Sequence, residues 1–258
     1  MGKKLYFVTN NSTKSRAGYL KKFTQLGLNV QPEEIYSSSY AAAAYLKSIN
    51  FPQDKKVYIV GQEGIQEELD LQGIQHIGGL ADADKVVGPL RAGYKVEQDP
   101  DVGAVVVGYD RYINYYKMHY ATLCARENPG CLFIATNCDA VAHITDVQEF
   151  PGAGAMVGAL KGSIAREPIL VGKPSEFMLG DIAKSSRLKR HEICMIGDRL
   201  DTDILFGKNG GLSTLLVLSG VTRKEQLLNP TNSIHPDMYV DSLADVARLA
   251  KLAGLVPA

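Results

Sequence analysis

Apolar residues along this chain gather in short runs, each closed by a glycine or a polar group and followed by a stretch with helical spacing. Lys4 to Val8 reads as a strand, and Ser12 offers an N-cap for a helix that Gly27 stops. A helix over Ser39 to Ile49, with Pro52 beyond it, leads to the apolar strand Val57-Tyr58-Ile59-Val60-Gly61 and a helix over Glu63 to Leu71. Gly78-Gly79 and Gly88-Pro89 punctuate a loop-rich stretch, after which Val102 to Gly108 and Cys131 to Thr136 read as strands around a helix over roughly Tyr112 to Arg126. Alternation resumes at Pro168-Ile169-Leu170-Val171-Gly172. A helix then runs to about Lys184, strands follow at Ile193 and over Thr214 to Leu218, and an amphipathic helix over Leu243 to Leu252 closes the chain. Strands alternating with helices predict an α/β fold with a parallel sheet and crossover helices. The different texture of the middle predicts an inserted domain with its own small sheet.

Polar groups of complementary type stand where three of these strands end. Ile193 to Gly197 is apolar but for its closing glycine, and Asp198, Asp201 and Asp203 follow within a short loop. In an open α/β sheet ligands bind beyond the carboxyl ends of the strands. Crowded carboxylates repel and raise one another's pKa unless a cation neutralises them, and a hard divalent ion, Mg²⁺ first, suits oxygen ligands. The alternative is that Thr202 or Asp203 caps the next helix. Thr9-Asn10-Asn11-Ser12 offers a hydroxyl, two amides and backbone N–H groups at a helix start, a donor-rich cradle for an anion. Gly172-Lys173-Pro174 sets a lysine in a tight turn. Singly, each is a cap or a surface charge. Together they are what a protein needs to hold a phosphate and offset its charge, and all three fall at strand ends of one predicted sheet.

The totals narrow the field. The 258 residues carry 28 basic and 28 acidic side chains with no dense basic run, which argues against a nucleic-acid partner. No apolar stretch is long enough to cross a bilayer, so no membrane role is expected. Cys124, Cys131, Cys138 and Cys194 form no C-x-x-C pair and fit three or four buried thiols in a reducing compartment. Met1-Gly2 opens like an acylation signal, but Tyr6 stands where Ser or Thr is required. No signal or transit sequence precedes the first strand. Gly152-Ala153-Gly154 lacks the preceding strand and third glycine of a dinucleotide loop.

Thr9-Asn10-Asn11-Ser12, Gly172-Lys173-Pro174 and Gly197-Asp198-Arg199-Leu200-Asp201-Thr202-Asp203 resemble the second, third and fourth motifs of the haloacid dehalogenase superfamily. The resemblance runs along the chain, taking in Ala135-Thr136-Asn137-Cys138-Asp139 and Pro151-Gly152-Ala153-Gly154. It is closest to the phosphoglycolate, 4-nitrophenyl and pyridoxal phosphatase branch, and within that to the plant-type phosphoglycolate phosphatases. It implies a Rossmann-like core over residues 1–65 and 168–258 with a C2-type α/β cap over 66–167. It also implies that Thr9, Asn10, Asn11 and Lys173 bind the phosphoryl group, and that Asp198, with Asp203 directly or through water, holds Mg²⁺. Tyr109 and His143 would reach from the cap to select a small phosphorylated metabolite, 2-phosphoglycolate first. Such caps often mediate homodimers, and Tyr112, Tyr115, Tyr116 and Tyr120 at helical spacing suit core or dimer contact. The compartment implied is chloroplast or cytoplasm.

One element of the pattern is missing. The family's nucleophile and acid/base residues lie in a D-x-D-G motif about one strand–loop–helix unit, roughly 30 residues, before the threonine motif. Only eight residues precede Thr9, none acidic, and no D-x-D-G occurs elsewhere. The expectation is an N-terminally truncated phosphatase, inactive as given, whose sheet lacks its central first strand. The alternative is a non-catalytic paralogue that binds a phosphorylated ligand or a protein partner.

Overall fold

Three apolar runs become the buried centre of one parallel sheet because each has neighbours on both edges. They are β3 (Lys56–Val60), β5 (Val102–Val107) and β6 (Leu132–Ala135). With β4 (His76–Gly78) and β9 (Ile169–Leu170) they form five strands in the order β4-β3-β5-β6-β9, all neighbours parallel. Strands covered on both faces read as continuous Val, Ile and Ala rather than as alternation. The computed structural model describes residues 3–142, 144–145 and 147–255. It separates into a unit spanning Tyr6–Gly172 and a second holding residues from Lys173 onward with those before Tyr6.

The first unit begins with β1 (Phe7–Thr9), α1 (Arg16–Gln25), β2 (Ile35–Ser37) and α2 (Ser38–Ser48), in which β1 and β2 form a two-stranded parallel sheet. The helix after β1 is capped three residues later than predicted, by Ser15, whose hydroxyl accepts the Gly18 N–H at 3.2 Å. The α3 helix (Glu63–Leu71) supplies further partners at that end: Glu67 takes the Ser15 hydroxyl and fully buried Glu68 takes the Arg16 N–H and guanidinium. Beyond β5, Asn114 caps α4 (Tyr115–Glu127) by accepting the Lys117 N–H at 2.8 Å. A two-stranded antiparallel pair, β7 (Val141–Ala142) with β8 (Phe150–Pro151), precedes α5 (Ala153–Ile164). Tyr58, Val105, Val107 and Phe133 of the sheet pack with Ala121 and Cys124 of α4 and Val157 and Leu160 of α5.

The second unit holds α6 (Glu176–Ser186), β10 (Cys194–Gly197), α7 (Leu205–Asn209), β11 (Ser213–Val217), α8 (Lys224–Leu227), β12 (Met238–Val240) and α9 (Leu243–Leu252). Its three strands pair in parallel in the order β10-β11-β12.

One expectation is corrected here. The three polar strand ends do not lie in one sheet: Thr9 ends β1, Lys173 follows β9 and Asp198 follows β10, and those strands belong to three separate sheets. Among the described residues β1 pairs only with β2 and β10 only with β11, so no ladder joins them. β3 is hydrogen-bonded between β4 and β5 and so shares the sheet of the segment that follows it. Of the cysteines, Cys124 and Cys131 are buried, whereas Cys138 and Cys194 are exposed, and all four are free thiols.

Candidate functional site

The turn that ends β1 is held by side chains that follow two other strands, β2 and β6, and by a backbone N–H that follows β5. Thr9 Oγ1 accepts the Asn11 N–H at 3.2 Å, and the Tyr19 hydroxyl is hydrogen-bonded to Thr9, with burial pushing the phenol pKa up. Asn10 is buried, and its carbonyl oxygen accepts from Ser38 Oγ at 2.6 Å and Asn137 Nδ2 at 2.7 Å. The Asn10 side-chain amide donates to Asp139 Oδ1 at 3.0 Å. Asn11 Oδ1 accepts the N–H and the hydroxyl of Thr13, each at 2.8 Å. Ser12, expected as a helix cap, is instead fully buried and accepts the Tyr109 N–H at 3.3 Å.

Glycines make this convergence sterically possible. A Cβ on Gly172 would stand 2.1 Å from the Thr136 carbonyl oxygen and 2.9 Å from Asn10 Oδ1. One on Gly108 would stand 2.5 Å from Ser12 Oγ. Tyr109 is joined to this turn only through its backbone N–H on Ser12 among the described contacts, and its ring is half-buried against the sheet core. His143 lies outside the described residues. Sequence reasoning assigned no role to Ser38, Asn137 or Asp139. The signal was available as polar residues directly after the apolar runs of β2 and β6.

In the second unit, Lys173 is buried and its ammonium donates to Asp203 Oδ1 at 2.6 Å. Asp203 Oδ2 accepts the N–H groups of Asp198 and Arg199 at 3.1 and 3.0 Å. Gly197 allows this closeness, since a Cβ there would stand 2.3 Å from the Asp203 side chain. Asp201 is paired with Arg199 through two hydrogen bonds of 3.0 and 2.7 Å, and that guanidinium holds its carboxyl below the usual range. Two of the three crowded acids therefore have the protein's own cations as partners. Asp198 Oδ2 accepts the Val221 N–H at 2.8 Å, while among the described residues Oδ1 has no protein donor. Among those residues there is also no group of three or more His, Cys, Asp or Glu placed to hold a metal. Asp198 can offer one oxygen to a cation, and Asp203, engaged through both oxygens, acts by fixing the loop that presents it.

Comparison with known proteins bears on what these groups serve. Residues 1–75 match the family model for haloacid dehalogenase-like hydrolases, and residues 170–246 match the HAD-hydrolase-like model. The chain is 62% identical over 244 residues to phosphoglycolate phosphatase 1A, chloroplastic, of Arabidopsis thaliana, a match covering 95% of this chain and 67% of that protein. The chain belongs to the haloacid dehalogenase-like hydrolases. Among their solved structures it is similar to p-nitrophenyl phosphatase from Archaeoglobus fulgidus, with a TM-score of 0.80 and 33% identity over 96% of this chain and 87% of that one. Glycerol phosphate phosphatase from Mycobacterium tuberculosis, solved in complex with magnesium, gives a TM-score of 0.77 and 25% identity over 95% and 68% of the two chains. These haloacid dehalogenase-like relatives are phosphoric monoester hydrolases, and the chain takes its place among them. No helix among the described residues is long and apolar enough to cross a membrane.

Proposed function

We propose that the chain is the greater part of a Mg²⁺-dependent phosphatase of small phosphorylated metabolites, with 2-phosphoglycolate as substrate. Thr9 binds a phosphoryl oxygen, the Asn10–Asn11 turn supports its hydroxyl through the Asn11 N–H, and Lys173 offsets phosphoryl charge. Asp198 holds the metal with an oxygen that meets no protein donor, and Asp203 orients the loop that carries it. Bound Mg²⁺ supplies positive charge against the developing charge of phosphoryl transfer. The observation that carries this reading is the division of labour among the acids. Asp203 is saturated by Lys173 and two backbone N–H groups, Asp201 by Arg199, and Asp198 keeps one oxygen in reserve. A hard, all-oxygen donor of that kind suits Mg²⁺, whose remaining positions are commonly filled by water and substrate.

The 258 residues hold no D-x-D-G, so this form has no carboxylate to attack phosphorus from that motif and does not turn substrate over. With the motif present, an Asp oxygen forms a bond to phosphorus as the ester P–O bond breaks, and water then cleaves the aspartyl phosphate. The likeness to the chloroplastic relative supports a chloroplast location, and a homodimer through the Tyr112 and Tyr115 side of α4 belongs to the same reading.

Purified 258-residue chain is assayed with Mg²⁺ on 2-phosphoglycolate, 4-nitrophenyl phosphate and glycerol phosphate, beside a chimera carrying the N-terminal D-x-D-G segment of the 62% identical relative. Turnover is expected from the chimera alone, fastest on 2-phosphoglycolate and lost with Asp198→Asn. Turnover by the unextended chain overturns its inactivity, and a folded chimera without turnover favours the second reading, a non-catalytic paralogue that binds a phosphorylated ligand.

A further inference from the structure

Two buried side chains, neither of them a candidate ligand-binding group itself, are aimed at the turn carrying Thr9. Ser38 is the first residue of α2, one position after the Ser37 that lies opposite Thr9 in the β1–β2 ladder. Asn137 follows β6 after one intervening residue. Both side chains donate to a single acceptor, the Asn10 carbonyl oxygen, at 2.6 and 2.7 Å. A carbonyl has two lone pairs, so this one is filled.

The carbonyl of Asn10 and the N–H of Asn11 belong to one planar peptide unit, which turns as a rigid body. Gripping the carbonyl therefore also fixes the direction of the N–H, and that N–H points at Thr9 Oγ1 at 3.2 Å. The threonine hydroxyl has one proton and two lone pairs. With the Asn11 N–H on one lone pair and the Tyr19 hydroxyl as a second neighbour of the same oxygen, the orientations open to its own proton are restricted.

We infer that Ser38 and Asn137 are positioning residues that set the Thr9 hydroxyl toward a phosphoryl oxygen, acting through the Asn10–Asn11 peptide plane. This rests on the reading of the Thr9 turn as a phosphoryl site. Ser38 stands on a helix start and Asn137 beside a buried strand end, so each is carried by a rigid element, as a well-organised site requires. Ser38 is fully buried and Asn137 is 3% exposed, so water is poorly placed to replace a deleted donor.

The test is a titration of inorganic phosphate into the ¹⁵N-labelled 258-residue chain, followed by the amide shifts of Thr9 and Asn11. Ser38→Ala and Asn137→Ala are each expected to weaken phosphate binding about three- to tenfold, the range of one lost hydrogen bond. Thr9→Val is expected to weaken it comparably and Thr9→Ser to restore it. In the Thr9→Val background neither Ser38→Ala nor Asn137→Ala should weaken binding further, because coupled groups are not additive. If Thr9→Val binds phosphate like the parent chain, the phosphoryl-site reading itself fails and the inference with it. Should Thr9→Val weaken binding while the other two do not, the positioning role alone is overturned. Equal losses with and without the Thr9 hydroxyl also overturn it, since the side chains then serve the fold and not that hydroxyl. Ser38→Ala removes one oxygen with almost no change of shape, so it decides the matter alone if Asn137→Ala does not fold.

Discussion

The sheet of the first unit and the sheet of the second are made of the same strand chemistry, yet only one of them is sealed. β3, Lys-Val-Tyr-Ile-Val, is buried over its last four residues, with strands on both edges. β10, Cys-Met-Ile-Gly, buries only Met195, leaves Ile196 42% exposed, and has a ladder partner on one edge among the described residues. The helices follow suit. α4 buries five residues including a lysine, whereas α9, amphipathic by sequence, buries none. An apolar run specifies a strand; it does not specify how many neighbours the strand will have. Burial, and with it the energetic weight of each side chain, comes from those neighbours.

That contrast predicts where substitutions hurt most. Lys117 and Asp110 form an ion pair at 2.8 Å with both side chains fully buried, and Asp110 Oδ1 also accepts the Tyr112 N–H at 2.8 Å. Removing one member strands the other charge in the core, which costs about 3–5 kcal/mol. Lys117→Ala should therefore destabilise the first unit by about that much in urea denaturation. Replacing the pair together, Lys117→Met with Asp110→Leu, should cost less than the single change. A single substitution with little effect would break the view that this unit is sealed.

Glycines sharpen the same comparison at the next level. Gly172→Ala forces a methyl into the Thr136 carbonyl and the Asn10 side chain, and overpacking of this kind costs about 1–3 kcal/mol. Gly180, inside α6 of the second unit, has nothing within 4 Å of its would-be Cβ. Gly180→Ala should raise stability by about 0.5–1 kcal/mol through helix propensity alone. Thermal melts of the two variants should move in opposite directions.

How much of this was legible in the residues follows the same physics. Strands β3, β5, β6 and β11 stood out because burial on both faces leaves an uninterrupted apolar run. β2 is three residues ending in a serine cluster, too short to show a period. Helix α5 was hidden by three glycines that lower its intrinsic propensity; it is held by the packing of Met156, Val157, Leu160 and Ile164. The polar residues of the site were visible because their types are unusual at strand ends. Their partners were not. Lys173 and Asp203 are 30 positions apart, and Asn10 and Asn137 are 127 apart, so only the fold could reveal those hydrogen bonds. The seven-residue spacing of Cys124, Cys131 and Cys138 organises nothing. Burial pushes the first two thiols up to about 12 and about 11, which leaves them inert.

Apolar truncations probe the second unit from within. Leu216 of β11 is fully buried beside Ile204 and Leu227, so Leu216→Ala should cost about 2–4 kcal/mol. Leu249→Ser on α9, where the side chain is 51% exposed, should stay within about 0.5 kcal/mol. A large cost at Leu249 would mean that α9 is covered in solution, and the contrast between the units would shrink accordingly.

The smallest expected effect lies at the far edge of that sheet. Asp237 joins β12 to β11: its Oδ2 accepts the N–H and hydroxyl of Thr214, each at 2.8 Å, and its other oxygen meets the Lys208 ammonium. The Lys208 ammonium first, then the Thr214 donors, hold its carboxyl at about 2. An unfolded Asp titrates near about 3.9, so the folded chain prefers the ionised form. A depressed folded value gives stability that is complete above the unfolded pKa and is lost as pH falls toward the folded one. Because the pair is partly exposed, solvent screening keeps its contribution small. Asp237→Asn should therefore lower the urea midpoint slightly at neutral pH, and the gap to the parent chain should close between about pH 4 and about pH 2. A gap that widens on acidification would show that Asp237 serves β12 through its shape and not through its charge.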